Sequence, residues 1–544
     1  MQPEMFSPSA ELAGKTVFVT GGLGFLGSVV VEQLLRLTEV KKVYLLARGK
    51  KQLSAAQRVD KLLCSALFNM LHEEAAAGGR NVFSKVAAVE GDMNAPGLGL
   101  SEQDTAALAG EVQVVIHCAA SLELDAPIQK TLRSNYLGTQ RLLRLASTWP
   151  SLACLLFTST YFVNNFKPRN SLVREELHNV PLSLPLSAPN EALTHSQLVE
   201  ALLAMEADSA DAEASALMAS LNFTSTYAFG KLLTEHLVGE AQLELVEALL
   251  AMEAEDADAE AAALMRQLNF TSTYAFGKLL TEHLVGEAQL QGVSKVIVRP
   301  SLISSLAGDP YPGYINNFAG SPGFMMAYGA GFFHSISSMA YASDYLLDLI
   351  PCDTVAALIN AAAAAGAADA GPAAAPGVTI YHAASAAVYP LHMAKAIGAM
   401  AEFWTANPPP LRLPFSTYFT YQGKHEPPRW GLAIGRWLTE AKLYFTYQGK
   451  HEPSAWGLAI GRWLTEAKLW PICKVLEWSG RGRKALLLRN AFKALCVQNS
   501  FNYNRSIVSC VDNCQALRKR IEPKEQPAWQ IIYDGAAVNW DDYG

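Results

Sequence analysis

The chain has no excess of positive charge. Its 43 Lys and Arg against 50 Asp and Glu leave a net charge of −7 over 544 residues and a pI near 5.9, which argues against a nucleic-acid partner held by a basic surface. It is also poor in charge altogether, at 17% against 50% hydrophobic residues, so extensive disorder is excluded. The eight cysteines are scattered, with no C-x-x-C and no Cys/His spacing of the kind a tetrahedral zinc site needs, so no metal is expected and the thiols read as reduced. Met1 to Lys15 lacks a basic start followed by an apolar stretch, and the expectation is a protein on the cytoplasmic side. There is no run of about 20 strongly apolar residues; the most apolar stretch, residues 355 to 375, is mostly alanine and is interrupted by Asn360 and Asp369. It reads as a helix followed by an Ala/Gly/Pro-rich loop.

What is present is an alternation of apolar strands and amphipathic helices. KTVFVT, GGLGFLG, SVVVEQLLRL and KKVYLLA follow one another from Lys15, the order of a βαβ unit. Further strand-like runs are VAAVEGD, VQVVIHCAA, ACLLFTS and KVIVRP. The pattern predicts an α/β fold, a Rossmann-type doubly wound parallel sheet, with a smaller, mainly helical C-terminal domain. The boundary is placed between a Rossmann-type domain at 12–395 and a helical domain at 396–544, because past residue 395 the composition turns to Trp, Arg and Lys. Such a composition suits either a packed helical domain or a peripheral seat on a membrane.

Two segments occur twice with hardly a change, 198–244 repeated at 245–291 and 418–443 repeated at 444–469. A solenoid needs at least three stacked units with diverged caps, so these read as recent tandem duplications within the domains or as an error in the gene model.

The chemistry-bearing residues begin with Gly21, Gly24 and Gly27 in T-G-G-L-G-F-L-G. Lying between a strand and a helix, they let a diphosphate approach the helix N-terminus, where backbone N–H groups, those of Phe25 and Leu26 included, hold it. At the end of the second strand, where an NAD enzyme places an acid for the ribose hydroxyls, stands Arg48, with Lys50 and Lys51 beside it. A cationic fork suits a 2′-phosphate, so the expected cofactor is NADPH. Asp92 ends the next strand and is a candidate for the adenine amino group; Ala119 and Ala120 are small where the cofactor ribose passes.

A Y-x-x-x-K motif puts a phenol and an ammonium one helical turn apart. The ammonium favours the phenolate and lowers the phenol's pKa from about 10, which makes it a usable proton donor. The motif occurs once in each copy, as Tyr227/Lys231 and Tyr274/Lys278. The second copy runs directly into KVIVRP, and short connections favour it; the first copy lies nearer in sequence to Thr160 and remains the alternative. Thr160, with Ser159 as the weaker choice, supplies the strand-end hydroxyl that holds a carbonyl oxygen. The catalytic set is then Thr160, Tyr274 and Lys278, with Lys278 also on the cofactor ribose.

TGGLGFLG, VKKVYLLARGKK, VIHCAASLELDAPI, the S-T-x-x-V-N of Ser159 to Asn164, TYAFGK, VIVRPSLI, DPYPGYINN and DLIPCDTV, in that order, together with the final IIYDGAAVNWDDYG, resemble the alcohol-forming fatty acyl-CoA reductases of the extended short-chain dehydrogenase/reductase superfamily. The resemblance implies reduction of a long-chain acyl-CoA to a primary fatty alcohol through a bound aldehyde with two NADPH, for wax or ether-lipid synthesis; the low solubility of such a substrate suits a peripheral seat on an organelle membrane. It places the nucleotide on Gly21, Gly24, Gly27, Arg48 and Asp92, and gives Asn135 a part in supporting the lysine and a water. This chain departs from the family in its duplications, in the alanine-rich stretch after residue 360 and in Tyr314, where Trp is expected. Two other readings stand beside it: an extended reductase for a nucleotide-sugar or a sterol, and a cofactor-binding protein without turnover.

Overall fold

The apolar runs become parallel strands: β1 (Thr16–Thr20), β2 (Lys42–Ala47), β3 (Val86–Glu90), β4 (Val114–His117), β5 (Cys154–Thr158) and β6 (Ser294–Pro300). A seventh, β7 (Val378–Ala383), comes from VTIYHA, a segment the sequence reading passes over. The order is β7-β6-β5-β4-β1-β2-β3, and every neighbouring pair is parallel. In this computed structural model the described residues are 5–50, 52–122, 132–164, 167, 171–177, 278, 281–282, 284–286, 288, 290–316, 323, 325, 329, 346–371, 377–386, 388, 390–408, 474, 477–478 and 508–532.

Every residue of β1, β4 and β5 is buried, as expected of a parallel sheet covered on both faces. One cover is α1 (Phe25–Leu37), buried without a break from Gly27 to Leu35. Against it lies α4 (Cys352–Ala368), buried from Cys352 to Gly366; α2 (Ala55–Leu63) and α3 (Leu137–Ala146) lie between them in the chain. The alanines of α4 are a packing requirement. A methyl group on Gly366 would stand 2.6 Å from the Cys154 sulfur, and the Asn360 amide donates to the Val30 carbonyl of α1 at 3.2 Å, so only small side chains fit at this spacing.

The chain forms two compact units. One comprises Met1–Asn317, Asp348–Tyr389 and Ile507–Val538, the other Phe318–Leu347, Pro390–Ser506 and Asn539–Gly544. The division differs from the linear one at 395/396, because the chain crosses between units more than once. In the first unit, residues 508–509 pair in parallel with 172–173. Asn513, on α6 (Asp512–Arg520), donates to the Ile380 carbonyl of β7 at 2.8 Å, and Trp529 is fully buried. In the second unit, α5 (Met393–Ala406) follows a short antiparallel pair, Leu391–His392 on Leu346–Leu347, and Trp404 donates to the Met325 carbonyl at 3.0 Å. No helix among the described residues is long and apolar enough to cross a membrane. The second duplication, 418–443/444–469, lies outside the described residues.

Candidate active site

Because all seven strands run the same way, Thr20, His117 and Thr158 finish at one edge. The sheet order reverses direction at β1 and β4, so a crevice opens between their carboxyl ends. Gly21 occupies it with φ +74°, and a side chain there would stand 2.6 Å from the Ala119 nitrogen and 2.7 Å from the Cys118 carbonyl carbon. Gly27, on the first turn of α1, lies so close to the turn that a methyl group would overlap the Gly21 carbonyl oxygen and stand 2.9 Å from the Gly22 Cα. Gly24 is the N-cap of α1 and offers no side-chain hydrogen bond. The first N–H groups of the helix, at Phe25, Leu26 and Gly27, therefore point out of an uncapped N-terminus, with a favourable dipole for a diphosphate.

At the end of β2, Arg48 lies 3.3 Å from the Asp92 carboxylate. The other Asp92 oxygen closes a local turn by accepting from the Asn94 N–H at 3.0 Å. A second arginine joins this corner. Arg58 of α2 donates to the Arg48 carbonyl at 2.6 Å, held there by a capping box between Ser54 and Gln57 at the helix start. Sequence reading missed Arg58, an ordinary helical residue until the fold brings its guanidinium to the Arg48 carbonyl. Lys50 is exposed on the same turn, and Lys51 lies outside the described residues.

Behind the crevice runs a buried polar chain. Thr139 donates to the Asn135 carbonyl at 2.7 Å, so its oxygen accepts from His117 Nε2 at 2.9 Å. His117 Nδ1 is then the acceptor for Thr20 at 2.6 Å, and the Thr20 oxygen accepts from Ala119 N–H at 3.3 Å. This fixes Ala119 at the strand end. Asn135 sits in a π-helical turn, Leu132–Tyr136, a distortion that clusters at functional sites. Its side chain holds the Ser121 backbone on both sides, accepting from N–H at 2.7 Å and donating to the carbonyl at 3.2 Å.

The hydroxyls beyond β5 lie two strands from β1. Thr160 is buried, with its oxygen 3.5 Å from the Pro300 carbonyl and 3.4 Å from the Phe162 nitrogen; both are long for hydrogen bonds to a hydroxyl. The Ser159 hydroxyl is buried and makes no hydrogen bond among the described residues. Thr158 Oγ1 meets the Cys118 sulfur at 3.2 Å, and burial pushes the Cys118 thiol up to about 11, so it stays uncharged. The Thr158 carbonyl accepts from Lys278, whose ammonium also stands 4.5 Å above the Phe157 ring. Tyr274, like Tyr227 and Lys231, lies outside the described residues; the ammonium found at this strand end belongs to the second copy.

One turn after Lys278, Glu282 pairs with Arg299 of β6, a contact that sequence reading missed. Arg299 also donates to His382 Nε2 at 3.2 Å, and His382 Nδ1 donates to the Cys510 carbonyl at 2.9 Å. Burial, then the neighbouring Arg299, hold the His382 pKa well below the usual 6.5. In the unfolded chain the same imidazole binds a proton below about pH 6.5. The stability this residue contributes is therefore present above that pH and falls away as pH drops below it, by at most about 1.4 kcal/mol per pH unit. The expected result is a Tm that falls between pH 7 and pH 5, with a shallower fall in His382→Gln, measured by calorimetry across that range.

Residues 19–359 match the family model described as male sterility protein, an NAD-binding family. The chain is similar to fatty acyl-CoA reductase 2 of Bos taurus, 26% identical over 351 residues, covering 64% of this chain and 54% of that protein. It is also similar to fatty acyl-CoA reductase 2 of Homo sapiens, 25% identical over 361 residues and covering 66% and 56%. It thus spans about half the length of the curated relatives it matches. Among solved structures, the terminal R domain of the myxalamid PKS-NRPS biosynthetic pathway aligns with TM-score 0.40 at 22% identity, over 72% of this chain and 70% of that one.

Proposed function

Since the chain belongs to the NAD-binding male sterility protein family, that of the fatty acyl-CoA reductases, we propose that it reduces the thioester of a long-chain acyl-CoA to a primary alcohol with NADPH. The observation that carries this is the seat of Lys278 on the Thr158 carbonyl, two residues from Thr160 and on the sheet edge that holds the glycine turn. The groups present fit a nicotinamide dinucleotide: a cradle that a methyl group on Gly27 would fill, an uncapped helix N-terminus and two arginines at the ribose corner. When bound, NADPH supplies hydride.

The chain's own residues do the rest. Thr160 holds the substrate oxygen, and Tyr274 shares that hydrogen bond and delivers the proton. Lys278 holds the cofactor ribose and keeps the phenol acidic enough to act. In the first reduction the thioester carbonyl gains hydride and proton, and the hemithioacetal loses CoA as its carbon–sulfur bond breaks. The aldehyde left in the site is reduced again at the same hydroxyls. One acyl-CoA, two NADPH and two protons thus give one alcohol, one CoA and two NADP+.

Purified protein incubated with palmitoyl-CoA and NADPH, with chromatography of the extracted lipid, tests the reading. Fatty alcohol at about two NADPH per molecule supports it; NADPH binding without oxidation overturns it. Cofactor choice is tested separately. Losing one charge-assisted contact costs about 1.5–3 kcal/mol, so Arg48→Ala is expected to raise KM for NADPH by about 10- to 100-fold and leave NADH unaffected. Arg58→Ala moves the same ratio less, and equal changes for both cofactors would place the 2′-phosphate elsewhere.

A further inference from the structure

Lys278 and Glu282 are four residues apart in a helical stretch, so they share a face, and that face is turned to the sheet: the two residues are 2% and 0% exposed. Glu282 meets Arg299, itself fully buried, through both carboxylate oxygens; the Nε bond is 2.7 Å. The guanidinium is in turn fixed by the Glu176 carbonyl at 3.0 Å and by His382 at 3.2 Å. His382 is tied to Cys510, and its N–H donates to Glu175 at 2.8 Å. The backbone that carries the lysine is therefore pinned about 6 Å along the helix from it. A lysine stem is flexible, and its hydrogen bond to one carbonyl does not by itself hold the helix in register.

We infer that Glu282 and Arg299 are positioning residues, a buried clamp that sets the helix so that the Lys278 ammonium reaches the end of β5. The inference rests on the reading of Lys278 given above. It also bears on the duplication. Glu235 holds the same place in the first copy, so the clamp accepts one copy at a time, and the structure seats the second.

The test is lysine footprinting of the full chain with an amine-reactive reagent, followed by trypsin and mass spectrometry. Arg266 lies within the second copy, where the first has Ala219, so the Lys278 and Lys231 peptides differ in mass. Glu282→Gln is expected to raise the labelling rate of Lys278 at least about tenfold. In steady state it should lower kcat by about 10- to 100-fold, the effect of an ångström of misplacement, with less than a threefold change in KM for palmitoyl-CoA. Glu282→Asp, which restores the carboxylate, should recover most of both effects, and Glu235→Gln should change neither.

Should Glu282→Gln fail to fold, as an uncompensated buried Arg299 makes possible, the pair is replaced by apolar volume in Glu282→Leu/Arg299→Met. Faster labelling of Lys278 in that folded double variant supports the clamp. Labelling as slow as in the unaltered protein, in either variant, overturns it, and so does an effect of Glu235→Gln in place of Glu282→Gln. Labelling is read without turnover: an unaltered protein that does not oxidise NADPH with palmitoyl-CoA defeats the proposed function and leaves the clamp to be decided by the footprint.

Discussion

Lys278→Met is expected to lower kcat/KM with palmitoyl-CoA by about 10³-fold, within the range of positioned acid–base groups, while Lys231→Met leaves it within about twofold. Methionine keeps most of the stem's volume beside the Phe157 ring but removes the ammonium that donates to the Thr158 carbonyl. Two effects then combine. The Thr158 carbonyl loses a charged donor, and the phenol proposed above as proton donor loses the neighbouring positive charge that favours its ionised form. Steady-state rates for both variants, with circular dichroism to establish that each is folded, check the expectation. Equal losses in the two variants would mean that both copies serve the reaction, and a loss confined to Lys231→Met would place the working site on the first copy.

Gly27→Ala is expected to raise the Kd for NADPH by more than about 100-fold and to destabilise the first unit by about 1–3 kcal/mol, the usual cost of overpacking. The added methyl group would overlap the Gly21 carbonyl oxygen and lie 2.8 Å from its carbon. The turn has little room to yield, since even a methyl group on Gly21 would stand 2.6 Å from the Ala119 nitrogen and 2.7 Å from the Cys118 carbonyl carbon. Relief must come from a shift of α1, which moves the N–H groups of Phe25, Leu26 and Gly27 away from the diphosphate. Gly24→Ala, whose methyl group would meet the Gly21 oxygen at 3.2 Å, should have a smaller effect. Gly110→Ala, with nothing within 4 Å, should have almost none. Fluorescence titration with NADPH and calorimetric unfolding of the three variants measure the series.

Much of this arrangement is legible in the sequence for simple reasons. The strands that become β1, β2, β4, β5 and β6 are continuous apolar runs, and a parallel sheet buried on both faces demands that pattern. VTIYHA was passed over because it follows an alanine-rich stretch, which blurs the change of period that marks a strand. The glycine turn is readable because spacing and strand-to-helix context carry it. Arg48 is readable as a substitution for the expected acid. Arg58 and Glu282 are not: each is an ordinary helical residue until the fold supplies its partner, the Arg48 carbonyl in one case and Arg299 in the other.

By itself, the sequence determined the class of fold and the glycine turn between β1 and α1, and it offered the hydroxyls after β5 and the tyrosine–lysine spacing as candidates, since these depend on local periodicity and on residue types at fixed short spacing. Tertiary structure alone decided three things. It seated the second copy's lysine at the end of β5, where local sequence is the same for both copies. It returned residues 508–532 to the first unit, against the composition shift near residue 395. It also joined the buried Glu282, Arg299 and His382 into one network that ends on the half-buried Cys510. Each of these rests on pairing between residues distant in the chain, where hydrogen bonds and burial are settled by packing and not by any pattern of neighbours.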